Sequence, residues 1–128
     1  MTIPATAALT GFCGLLLVAL AARISQLRMR HKVAFGDAGN TELMRAIRLH
    51  ANTAEHAPIF ILLALVYELT RGTTTLLVAT ATVFVLARLA FTVALMGRGL
   101  HLARMAGAML TYLTQAVLAL ALLAGALA

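Results

Sequence analysis

Residues 45–60 read RAIRLHANTAEHAPIF. The stretch opens with two arginines, passes through Asn52 and Glu55, and leads into APIFILLALVY (57–67), a run suited to lipid. A chain that is 62% hydrophobic, with a mean hydropathy of +0.99, gives little reason to place such groups at membrane depth. They must hold something, and the fold follows from asking what surrounds them.

Outward from this stretch the chain is almost all apolar. Ala5–Ala22 carries no charge, Gly72–Ala87 and Leu89–Gly97 form one run broken only by Arg88, and Met105–Ala128 is again uncharged. About 20 mostly apolar residues are needed for a helix to span a bilayer. The pattern predicts four transmembrane helices near 4–27, 42–69, 73–97 and 102–127. The fold class is an all-α, integral membrane four-helix bundle, read as a single domain over 1–128. Charged residues make up 11%, against about 25% in soluble globular chains, which excludes an ordinary soluble enzyme. No positive segment precedes the first run, so it reads as a retained helix and not a cleaved signal peptide. The lone Cys13 can form no internal disulfide, and the four histidines lack metal-ligand spacing, so no metal is expected.

The net charge of +6 could suggest nucleic acid, but its placement is that of a membrane topology, and no nucleic-acid partner is expected. Arg28, Arg30 and Lys32 follow the first helix, Arg45 and Arg48 open the second, and Arg98 and Arg104 flank the last turn. Basic loops stay cytoplasmic, so both basic turns face inward and both termini face outward in an inner-membrane, multi-pass topology. Membrane lipid headgroups are natural partners for Arg28, Arg30 and Lys32. Glu68 and Arg71 read as solvated charges at the opposite interface, Asn40 or Thr41 can cap the second helix, and Gly97–Gly99 allows a tight hairpin. Pro58 breaks one helical hydrogen bond and should kink the second helix. Tyr112 and Gln115 read as groups that hydrogen-bond between helices.

In the second helix, Arg45, Arg48, Asn52 and Glu55 recur at spacings of three, four and three. At ~100° per residue they share an arc of roughly 80°, one polar stripe. Glu55 lies about 15 Å below Arg45 at ~1.5 Å per residue. A carboxylate there costs about 2.5–3.5 kcal/mol or more, so it must be paired, neutral or wet. Arg88, roughly 14 Å from its own cytoplasmic turn, is the nearest match in depth and opposite in sign. An Arg88–Glu55 pair, within or between subunits, is therefore expected. Arg104 at the start of the fourth helix adds to a cationic pocket with one acid at its base. Such a pocket suits a small ligand with carboxylates, an ammonium and a thiol, the last stabilised as thiolate by Arg104.

These residues in this order resemble the MAPEG family, the membrane-associated proteins in eicosanoid and glutathione metabolism, and most of all its bacterial inner-membrane branch. Arg45, Ala46, Arg48, His50, Asn52, Glu55 and Pro58 match the motif that opens the family's second helix. QLRMRHKVAF (26–35) and RLAFTVALMG (88–97) followed by Arg104 resemble two further family segments. The resemblance implies a homotrimer with glutathione as co-substrate between subunits. Arg28, Arg48, Asn52, Glu55 and Arg88 would bind it, and Arg104 would be catalytic, activating the thiol against a small lipophilic electrophile. The implied function is a membrane-bound glutathione-dependent transferase or peroxidase-like protein. Ala51, Phe91, Leu95, Met105 and Ala108 depart from polar residues found in the family's prostaglandin-forming members, so some ligand contacts are missing. Two other classes fit the composition. One is a non-catalytic membrane binding or structural protein whose buried charges fix the oligomer. The other is a small multidrug transporter, which would want its acid in the first helix, where this chain has none.

Overall fold

Backbone that lies in lipid has no partner but itself, so apolar runs of this length close into helices. The computed structural model describes residues 2–97 and 101–127 and contains α1 (Pro4–His31), α2 (Thr41–Arg71), α3 (Thr75–Met96) and α4 (His101–Ala126). All four are long and apolar enough to cross a membrane, and together they form a four-helix membrane bundle. The α1–α2 loop, the end of α3 and the start of α4 lie at one end, called here the basic end. The two termini and the α2–α3 turn lie at the other, the terminal end. Arg98, Gly99 and Leu100 of the expected hairpin lie outside the described residues.

Local chemistry sets most helix ends. Asn40 caps α2 by accepting the Leu43 N–H at 2.9 Å, and Thr74 caps α3 by accepting that of Leu77 at 3.3 Å. Gly72, at φ +74° and ψ −175°, takes an extended positive-φ backbone open to glycine, and this stops α2. α1 runs to His31, one turn past the position expected from hydropathy. Leu27 is buried against the bundle and holds that extra turn, while Arg28, Arg30 and His31 complement the negative end of the helix dipole. α2 continues through Pro58 to Arg71 without interruption.

Glu68 corrects the expectation of a solvated charge. It is 3% exposed, and its carboxylate accepts the Ala5 N–H at 3.1 Å, the Thr6 N–H at 2.8 Å and the Thr73 hydroxyl at 2.6 Å. α1 starts at Ile3–Pro4 with no side-chain cap of its own, so the acid of α2 meets its orphan donors from across the bundle. Arg71 also departs from a purely solvated role: its guanidinium lies 5.9 Å from the Tyr67 ring centroid.

Packing completes the frame. Toward the terminal end, Leu9, Cys13, Phe60, Leu77, Phe84 and Leu118 form the main core, with the Phe60 and Phe84 rings stacked at 4.0 Å. Toward the basic end a smaller cluster joins Leu20, Leu49 and Phe91. α3 and α4 approach closely at Gly107, where a Cβ would stand 2.8 Å from the Ala87 carbonyl oxygen. Small residues at such crossings let membrane helices pack backbone to backbone.

Candidate functional site

The stripe on α2 divides along its inner and outer edges. Asn52 faces the bundle, where its Oδ1 accepts a 2.7 Å hydrogen bond from Nη1 of Arg88 on α3. Arg88 is only 1% exposed, and its guanidinium lies 4.8 Å from the Phe91 ring centroid. Its Nε and Nη2 are buried with no hydrogen-bond partner among the described residues. A buried guanidinium with a single neutral acceptor leaves most of its donors open, and its planar fork matches a carboxylate.

The expected Arg88–Glu55 pair does not form within the chain: Arg88 turns to Asn52, and Glu55 is exposed on the outer edge of the stripe. The reason is angular. Three residues separate Asn52 from Glu55, which rotates them about 60° apart at ~100° per residue. Only Asn52 points toward α3. Arg48 is likewise exposed on the outward face. That same face continues toward the terminal end as Ile59, Leu62 and Val66, all exposed and all compatible with lipid.

One turn beyond Asn52, His56 joins α2 to α4, a contact that stripe reasoning missed. Gln115 donates its Nε2–H to the His56 carbonyl oxygen at 3.0 Å and offers its Oε1 to His56 Nδ1 at 3.1 Å. The first bond fixes which amide atom faces the ring, so Nδ1 must carry a proton and the neutral imidazole keeps its lone pair at Nε2. Tyr112 lies alongside, ring centroids 5.2 Å apart. The expectation that Gln115 bonds between helices is met, and the signal for its partner was the four-residue spacing from Asn52 to His56.

The remaining candidates sit at the basic end. Arg28 directs Nη1 to the carbonyl oxygens of Ala34 and Gly36, at 3.2 and 2.9 Å, and so folds the α1–α2 loop. Arg104 is exposed near the start of α4, with Nη2 3.0 Å from His101 Nδ1. The structure thus brings Asn52 and Arg88 together, places Arg48 and Glu55 on the outward face of α2, and leaves Arg28 and Arg104 at the basic end. Between α1, α2 and α3 at that end lies a cleft of about 520 Å³, with Arg23, Glu42 and Arg45 among its lining residues.

The sequence model of the MAPEG family matches residues 6–124. Among curated proteins, the chain is 46% identical over 55 residues to the "Inner membrane protein YecN" of Escherichia coli strain K12. It is equally similar to the protein of that name from E. coli O6:H1 strain CFT073. These alignments cover 43% of this chain and 42% of each relative, so the chain matches less than half the length of either. Four membrane-length helices and inner-membrane relatives together support a multi-pass protein of the inner membrane.

Proposed function

The chain belongs to the MAPEG family, and on that premise we propose that it is a membrane-bound, glutathione-dependent transferase or peroxidase-like protein acting as a homotrimer. The observation that carries the proposal is Arg88, buried with two nitrogens unpartnered beside an α2 face that exposes Arg48 and Glu55. Charges at that depth are too costly to face lipid, so a second copy must cover them. A second copy also turns an open face into a walled pocket.

In this reading the basic end faces the cytoplasm, and glutathione enters there between subunits. Arg48 and the free side of Arg28 hold its carboxylates, Glu55 takes its ammonium, and Asn52 and Arg88 form the floor. Arg104 stabilises the thiolate, which attacks a small lipophilic electrophile arriving from the bilayer; a sulfur–carbon bond forms as the electrophile's leaving group or π electrons depart. The His101 ring beside Arg104 orients its guanidinium.

The test is glutathione conjugation by the purified protein against a panel of lipophilic electrophiles such as activated aryl halides. Arg104→Ala is expected to lower kcat at least a hundredfold while the assembly mass stays the same. Unchanged turnover in that variant removes Arg104 from the chemistry. A wild-type protein that neither binds nor conjugates glutathione would leave the buried charges with a purely structural role.

A further inference from the structure

Asn52 and His56 lie one turn apart on the inward side of α2, and each meets a side chain from another helix. Side chains four residues apart on a helix are neighbours, with about 5–6 Å between Cβ atoms. Asn52 takes the Arg88 guanidinium of α3 at 2.7 Å, and His56 packs on the Tyr112 ring of α4 at 5.2 Å between centroids. Three helices thus meet in one polar cluster, of which the glutathione reading uses only Asn52 and Arg88.

The cluster has more donors than acceptors. Gln115 and His56 satisfy each other, and this fixes the turn of α4 from which Tyr112 projects. Tyr112 is half-buried, and its hydroxyl has no hydrogen-bond partner among the described residues. Beside it lies the buried guanidinium of Arg88 with Nε and Nη2 open. An oxygen atom that gains negative charge suits a phenolic O–H backed by a buried cation. The surrounding surface is hydrocarbon, since Met109 and Leu113 on α4 and Ile59 on α2 are exposed. A molecule that brings its oxygen here comes from the bilayer.

Spacing along α4 selects among such molecules. Tyr112 lies eight residues beyond Arg104, about 12 Å at ~1.5 Å per residue. Helical side chains lean toward the start of their helix, as Arg104 does in reaching His101, so the offset persists at the two side-chain ends. A hydrogen bond at each end takes about 3 Å, and the approach of sulfur to carbon takes another ~3–3.5 Å. About 3 Å then remain between the attacked carbon and the oxygen. In an epoxide those two atoms are bonded to each other. In an α,β-unsaturated carbonyl they stand at the two ends of a conjugated four-atom system.

We propose, building on the glutathione reading, that the acceptor is a lipophilic α,β-unsaturated carbonyl compound and that Tyr112 is a catalytic residue that donates its hydroxyl hydrogen bond to the carbonyl oxygen. The thiolate attacks the β carbon, and a sulfur–carbon bond forms as the carbon–carbon π bond breaks. The electron pair moves to the carbonyl oxygen as an enolate, which Tyr112 hydrogen-bonds and the charge of Arg88 stabilises from behind. The proton given up by the thiol returns through water to the α carbon, so nothing leaves and nothing is oxidised.

Glutathione conjugation by the detergent-solubilised protein tests this with three acceptors: 4-phenylbut-3-en-2-one, styrene oxide and 4-nitrobenzyl chloride. Only the first places its developing charge on a carbonyl oxygen. Tyr112→Phe keeps the ring on His56 and removes the hydroxyl alone. It should lower kcat for the enone at least tenfold, change the other two rates less than twofold, and leave the KM for glutathione and the unfolding midpoint as in the wild type. An unchanged enone rate, or an equal loss with either other acceptor, would overturn the assignment of Tyr112 and of the acceptor while leaving the glutathione reading in place. A wild-type protein that conjugates none of the three would overturn both.

Discussion

Two glutamates of α2, Glu55 near its middle and Glu68 near its terminal end, are treated in opposite ways. Glu68, near the terminal end, is buried and accepts hydrogen bonds from two backbone N–H groups and a hydroxyl. Glu55, thirteen residues earlier, is exposed and bonds to nothing among the described residues of its own chain. Around Glu68 the outward face is apolar and the core is filled by stacked Phe60 and Phe84. Around Glu55 the face is polar, and the nearby Arg88 is buried with donors to spare. Internal closure identifies the terminal half as scaffold. On the proposed function, unmet hydrogen-bonding capacity at membrane depth is what assigns the other half to ligand and second copy.

The comparison breaks first at Glu68. Replacing it with Ala should destabilise the bundle by about 3 kcal/mol, because it orphans two buried donors and removes a charged acceptor. Unfolding in mixed detergent micelles would measure this, and glutathione binding per folded molecule should be unchanged. A loss of binding at full stability would assign Glu68 to the site and erase the distinction between the two halves. A smaller effect sharpens it. Gln115→Leu removes both bonds to His56 and should cost about 1 kcal/mol, since hydrogen bonds between membrane helices average only ~0.6 kcal/mol each. The same unfolding experiment reads it.

Much of this was legible in the sequence, for identifiable reasons. Uncharged runs bounded by arginine mark four helices because the bilayer enforces length and backbone closure together. The polar stripe was legible because its spacing is helical and its cost in lipid is high. Depth is readable from rise per residue, and that correctly set Arg88 beside the stripe. Azimuth is not readable without knowing which way each helix faces its neighbours, so Glu55 was matched to Arg88 where Asn52 is the residue that reaches it. Glu68 was missed because a carboxylate at the end of an apolar run looks the same whether water or a helix N-terminus receives it. The clue was in another helix: Ile3–Pro4 opens α1 without a side chain able to cap it. His56 lies one turn beyond Asn52, which puts it on the same inward side, where Gln115 meets it.

The central claim is that Glu55 and its polar face await a ligand and a second copy, whereas Glu68 holds the fold. Calorimetric titration of reduced glutathione into wild-type protein, Glu55→Gln and Glu68→Gln, each with its assembly mass and unfolding midpoint recorded, tests this most directly. The account predicts saturable binding to the wild type. Glu55→Gln should bind at least tenfold more weakly at an unchanged unfolding midpoint and assembly mass, and Glu68→Gln should show the wild-type affinity with a lowered midpoint. Wild-type protein that binds no glutathione at millimolar concentration, or a Glu55→Gln variant that binds it as tightly as the wild type, would contradict it.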